Sequence, residues 1–160
     1  MWTDALGLQG LGSYCQALGC DRQRDIQPAE AFMLALPTHI EHRNEHINTK
    51  EMRAVEQGLL RWARLWKGSQ VTPHIDNQAL VFGIRNHTMR GSTMDVLRRC
   101  LLLASQHDLE LNLHWIPTGN NRLADALSRC DRDTITNLAP QLLPLFDPQN
   151  HGFLMCPVLD

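Results

Sequence analysis

Four carboxylates stand near the ends of candidate secondary-structure elements. Asp4 lies in the first predicted strand, Glu51 in the first turn of a long predicted helix, Asp76 just past a strand ending at Ile75, and Asp125 in a short late helix. In parallel α/β sheets, ligands gather beyond the carboxyl ends of strands. Asp76 falls at such an edge, and Asp125 follows soon after another. Convergence of these acids would require a cation, because two carboxylates about 4 Å apart repel by about 4 kcal/mol at an effective dielectric of ~20. An all-oxygen donor set, without Cys or suitably spaced His, favours Mg²⁺ or its substitute Mn²⁺ over Zn²⁺. Two such ions can activate a water and stabilise the leaving oxygen of an in-line phosphoryl displacement.

Each acid also has an ordinary structural explanation. Asn48-x-x-Glu51 matches a capping box, in which Glu51 would only satisfy helix amides. Asp4 fits a strand or turn acid, Asp76-Asn77 a turn pair, and Asp125 a solvated helix residue.

The elements that would carry these residues are legible from periodicity. Trp2 to Asp4, the glycines at 7, 10, 12 and 19, and Ala31 to Leu36 closed by Pro37 predict short strands joined by turns, with an exposed hairpin tip between Gly19 and Pro28. From Asn48 onward Met52, Val55, Leu59, Trp62, Ala63 and Trp66 form one helical stripe that stops at Gly68. Gln70 to Ile75 reads as a strand, although Pro73 is unwelcome in a central position. Gln78 to Arg85 predicts a brief helix, and Ser92 or Thr93 caps another carrying Met94, Leu97, Cys100, Leu101 and Ala104. Leu109, Leu111, Leu113 and Trp115 alternate with polar residues, the pattern of a half-buried strand, and a last short helix follows Asn120-Asn121. Strands, helix, strand, helices, strand and helix in that order predict an α/β fold with parallel neighbours.

Composition narrows the function classes. The 160 residues are 43% hydrophobic and 20% charged, which predicts one globular domain rather than a disordered chain. Apolar runs such as Cys100 to Ala104 are far below the ~20 residues of a membrane span. A formal charge of -2 gives no global pull toward phosphate, so nucleic-acid binding must be local. Setting aside the four acids leaves a mildly basic frame of +2. Five cysteines without a C-x-x-C pair suggest reduced thiols and an intracellular setting, cytoplasm or nucleus, with a Cys15–Cys20 pairing left open. His39, His42 and His46 read as a wet hairpin rather than a metal site, and Arg90, Arg98 and Arg99 as phosphate contacts or a solvated helix face.

Four segments in order, Trp2-Thr3-Asp4-Ala5, His46-Ile47-Asn48-Thr49-Lys50-Glu51-Met52-Arg53-Ala54-Val55, His74-Ile75-Asp76-Asn77-Gln78-Ala79, and Trp115 to Arg129 ending in Asn121-Arg122-Leu123-Ala124-Asp125-Ala126-Leu127-Ser128-Arg129, resemble the motifs of the ribonuclease H domain of retrotransposon reverse transcriptases, of the LTR or tyrosine-recombinase type. The resemblance spans residues 1 to about 130. It implies a ribonuclease H-like fold: a five-stranded mixed sheet with its first three strands antiparallel, flanked by helices. It implies hydrolysis of the RNA strand of RNA–DNA hybrids with two Mg²⁺ ions held by Asp4, Glu51, Asp76 and Asp125. Asn48 and Gln78 match positions from which the family touches the minor groove of the hybrid, and Asn121 matches the Asn four before the last acid. Amide side chains suit this task because they both donate to and accept from a 2′-hydroxyl. A plain helix cap remains the alternative for Asn48 and Asn121, and an exposed helix residue for Gln78.

The sequence also departs from the pattern. Trp115 stands ten residues before Asp125, where many relatives carry a loop His; His114 alternates to the other face of its strand; and Leu6 replaces a small polar residue. Asp4 comes so early that the first strand is expected to be shortened. The resemblance places a polymerase domain upstream and makes the Pro-punctuated stretch 131–160 a linker or docked extension. Two rivals follow: a catalytically silent fragment serving as a polyprotein spacer or nucleic-acid-binding module, and a related metal nuclease acting on DNA.

Overall fold

Alternation in the first thirty-five residues produces three short strands, β1 (Trp2–Leu6), β2 (Gly10–Tyr14) and β3 (Ala31–Ala35). They pair antiparallel, with Asp4 opposite Gly12 and Gly12 opposite Met33. The computed structural model describes residues 1–6, 10–16, 26–35 and 45–146. Residues 19–25 of the predicted hairpin tip, Cys20 among them, lie outside them with His39, His42 and Cys156, whereas Ile26 near the end of that stretch is buried rather than exposed. β1 pairs with β2 along all five of its residues, and Cys15 is a buried free thiol.

Helix α1 (Ile47–Trp62) ends one turn earlier than its apolar stripe, and turns carry the chain on to Gly68 at φ 74°. Its cap is His46, whose Nδ1 accepts from the Asn48 amide, so the capping box of Asn48 and Glu51 does not form.

The strand expected over residues 70–75 is split at Thr72-Pro73 into β4 (Gln70–Val71) and β5 (His74–Ile75), and its partner likewise into β6 (Glu110–Leu111) and β7 (His114–Trp115). Pro73 has no N–H to donate and so removes one rung, while its carbonyl still accepts from the His114 amide at 2.8 Å. That explains how a proline sits in a strand flanked on both sides. The main sheet has the order β3-β2-β1-β5-β7, with β5 parallel to both β1 and β7, and β4 and β6 pair parallel beside it.

Between the parallel strands run α2 (Gln78–Arg85) and α3 (Gly91–Gln106). Neither Ser92 nor Thr93 caps α3; its N-cap is Arg90, and both hydroxyls instead meet Thr49 Oγ1 on α1, at 3.1 and 2.8 Å. The short α4 (Arg122–Arg129) and α5 (Arg132–Leu138) follow β7.

Side chains along β3 alternate between two cores. Phe32 joins Met52, Val55, Leu59, Leu80, Val96 and Cys100 under α1 to α3, while Ala31 and Met33 join Leu123, Leu127, Ile135 and Leu142 under α4 and α5. Residues 132–146 are thus docked by buried Ile135, Ala139, Leu142 and Phe146 rather than strung out as a linker. The result is three layers, with helices on both faces of a mixed five-stranded sheet whose first three strands are antiparallel. No helix among the described residues is long and apolar enough to cross a membrane.

Candidate active site

Three elements bring acids to one spot. Asp4 sits in the middle of β1 with 6% of its surface exposed, Glu51 one turn into α1 with 4%, and Asp76 immediately beyond β5. One carboxylate oxygen from each lies within 4.8 Å of the other two. The parallel pairing of β1 and β5 puts Asp4 and Asp76 at the same end of the sheet, and α1 lays Glu51 across it.

Electrostatics mark this arrangement as costly without a counterion. Burial, opposed by the Ser128 hydroxyl and reinforced by Asp76 and Asp125, pushes the Asp4 carboxyl up to about 6. Glu51 is held well above its ordinary range by burial first and by Asp4 and Asp76 next. Asp76 is raised as well, mainly by burial, against the lowering effect of the Thr118 side chain. Glu51 Oε2 is buried and makes no hydrogen bond. A buried, unsatisfied carboxylate oxygen facing two more carboxylates is what a hard divalent ion would complete. The donor set therefore fits Mg²⁺ or Mn²⁺, with Asp4, Glu51 and Asp76 as the residues that would hold it.

The fourth acid behaves differently. Asp125 lies outside the group of three, and its Oδ1 accepts from Arg129 Nε at 2.6 Å, one helical turn away. Its charge still reaches Asp4, Glu51 and Asp76.

The residues expected to touch nucleic acid divide in the same way. Gln78 is exposed as the first residue of α2, and Asn48 is half-buried beside it on α1 with its Oδ1 accepting from Asn77 Nδ2 at 2.9 Å. Asn121, by contrast, is fully buried. It stands at the N-cap position of α4 but its side chain makes no capping hydrogen bond and does not face outward; its Nδ2 donates to the Thr3 carbonyl at 2.9 Å and braces β1 against the start of α4. No part of the Asn121 side chain reaches the surface in this structure, where it braces β1 and hydrogen-bonds the Asp76 side chain.

Further residues build the site from behind. The Ser128 hydroxyl, fully buried, hydrogen-bonds Asp4 Oδ2. Its i+3 spacing from Asp125 already placed it on the same helix face. The Trp115 indole donates to the Asp76 carbonyl at 3.2 Å, so the residue found where relatives carry a loop His is tied to the backbone of a site acid. His114 is exposed and packs edge-on against His74. At Gly12 a Cβ would fall 2.4 Å from Ser128 N and 2.5 Å from the Ala124 carbonyl, so α4 rests directly on β2. A glycine opposite a candidate acid in a strand was the available signal for that approach.

No protein-family model matches this chain, and no curated protein matches it. Solved structures do. LC11-RNase H1, determined in complex with an RNA/DNA hybrid, superposes with a TM-score of 0.61 at 14% identity, over 79% of this chain and 90% of that one. RNase H1 from the halophilic archaeon Halobacterium salinarum superposes with a TM-score of 0.57 at 18% identity, over 81% of this chain and 96% of that one. The chain has the ribonuclease H-like α/β fold.

Proposed function

We propose that this protein is a metal-dependent endonuclease that cleaves the RNA strand of RNA–DNA hybrids. The observation that carries the proposal is the meeting of Asp4, Glu51 and Asp76 oxygens within 4.8 Å, on a ribonuclease H-like fold, with one buried Glu51 oxygen left unsatisfied. Divalent ions held by such acids supply a water nucleophile at neutral pH and charge neutralisation of the leaving oxygen.

The chain's own contribution is placement. Ser128 fixes Asp4, the Trp115 indole holds the Asp76 backbone, and Asn121 locks β1 to α4 beneath both. Asp125, neutralised by Arg129, stands beside the cluster as a fourth acid. Asn48 and Gln78 flank the acids on the surface, at the start of α1 and of α2, where a hybrid's minor groove would be met. LC11-RNase H1 bound to its hybrid supports this choice of substrate. The order of the four motifs supports a retroelement reverse transcriptase as the setting, with a polymerase domain upstream and an intracellular site of action.

Cleavage of an end-labelled hybrid in Mg²⁺, compared with the matching duplex DNA and with an Asp76→Asn variant, tests the proposal. Hybrid-selective cutting lost in the variant is expected. Absence of cutting supports the silent module, and equal cutting of DNA supports a DNA nuclease.

A further inference from the structure

Asn77 follows directly after Asp76 and serves two partners with the two ends of one amide. Its Oδ1 accepts from the Leu80 amide at 3.0 Å, which caps α2, and its Nδ2 donates to Asn48 Oδ1 at 2.9 Å. This order cannot be reversed. A backbone N–H only donates, so the end of Asn77 facing Leu80 must be the oxygen and the end facing Asn48 must be the nitrogen. Asn48 must then offer its own oxygen to Asn77. The remaining end, Asn48 Nδ2, makes no hydrogen bond to any described residue, and Asn48 is half-buried at the edge of the acidic cluster. The helix cap of α2 thus fixes, through two amides, which pole of Asn48 is left for a ligand.

We infer that Asn77 is a positioning residue that makes Asn48 an obligate donor toward the minor groove, so that this contact reads the base acceptors there, N3 of purines and its counterpart O2 of pyrimidines. The inference rests on the proposed function above and adds its polarity. Every base pair offers an acceptor in the minor groove. A fixed donor at Asn48 therefore gives grip without sequence choice, whereas a freely flipping amide would accept from the guanine N2 amino group as well. Gln78, the next residue, is exposed on this surface, makes no side-chain hydrogen bond among the described residues and stays free to turn either way.

The test is equilibrium binding of RNA–DNA hybrids in Ca²⁺, read by fluorescence anisotropy. One hybrid is unmodified and the other has 3-deazapurines, whose N3 acceptor is replaced by C–H, in the register that Asn48 meets, located by tiling the replacement along the duplex. The unaltered protein is expected to bind the modified hybrid about threefold to tenfold more weakly at one register, the range of a single net hydrogen bond. Asn77→Ser, which keeps a side-chain oxygen for the cap and removes the amide nitrogen, is expected to bind the unmodified hybrid more weakly by a similar factor and to lose the 3-deazapurine penalty, while its melting temperature and kcat hold and KM rises. Two results overturn the inference alone: hybrid binding by the unaltered protein with no 3-deazapurine penalty at any register, or a penalty that persists in a folded Asn77→Ser. A protein that binds no hybrid at all overturns the proposed function, and the inference with it.

Discussion

The Ser128 hydroxyl on α4 hydrogen-bonds the Asp4 carboxylate on β1, joining residues 124 positions apart at the base of the acidic cluster. This contact holds one Asp4 oxygen and opposes the rise of its pKa, which burial drives. In Ser128→Ala, Asp4 should ionise less readily, and the acidic limb of the pH–rate profile should move to higher pH. Cleavage at neutral pH should fall on the order of tenfold, as for loss of a partner behind a metal ligand. An unchanged profile in a folded Ser128→Ala would show that the contact does not serve the site.

The contribution of the acidic cluster to stability without metal should fall as pH rises. Asp4 titrates near 6 in the folded protein against 3.8 for the free residue, so between those values the folded state holds more protons than the unfolded one and each step up in pH favours unfolding. A rise from 3.8 to about 6 corresponds to roughly 3 kcal/mol, at ~1.4 kcal/mol per unit, fully lost above the folded value. Glu51 and Asp76 are shifted in the same direction. His74, which burial lowers to about 4, acts in the opposite direction over the same range, so the contribution of Asp4 is isolated by comparing thermal melts in chelator of the unaltered protein and Asp4→Asn: the advantage of the variant should be larger at pH 7.5 than at pH 5. Mg²⁺ should restore more stability at pH 7.5, where protons no longer compete for the carboxylates.

Gly12→Ala tests the seat of α4. The added methyl would meet backbone atoms of Ala124, Leu127 and Ser128, which cannot swing aside as a flexible side chain can. A loss of ~1–3 kcal/mol or more is expected, about 2 to 12 °C in Tm, together with reduced cleavage because α4 carries both Asp125 and Ser128. An unshifted melt would contradict the close packing.

The acids should not be equivalent. Asp4→Asn, Glu51→Gln and Asp76→Asn each remove a member of the converging group and should abolish cleavage, whereas Asp125→Asn should reduce it on the order of tenfold to a hundredfold. Equal loss in all four, measured as kcat on one hybrid, would place Asp125 among the principal ligands.

Much of this arrangement was legible in the chain itself. The 3.6-residue stripe gave α1, alternation gave β1 to β3 and the strand partners of β5, and the four acids were identifiable from motif order. Local signals failed where long-range contacts outweighed them. Asn48 and Glu51 have the spacing of a capping box, yet His46 takes the cap and frees Glu51 to be buried. Asn121 looks like a helix cap but spends its amide on Thr3, a partner 118 positions away. Gly12 opposite Asp4 signals a close backbone approach but not that a helix from the far end of the chain makes it, and nothing near Asn77 shows that its amide will reach back to α1. The prolines after Arg129 left a linker and a docked extension both open, and the buried Ile135, Leu142 and Phe146 decide that residues 132–146 dock.

The most direct test of the central claim is a crystal of the unaltered protein soaked in Mn²⁺ and measured for anomalous scattering. The account predicts a strong manganese peak bounded by carboxylate oxygens of Asp4, Glu51 and Asp76, absent from crystals of Asp76→Asn. Well-ordered carboxylates with no manganese between them would contradict it.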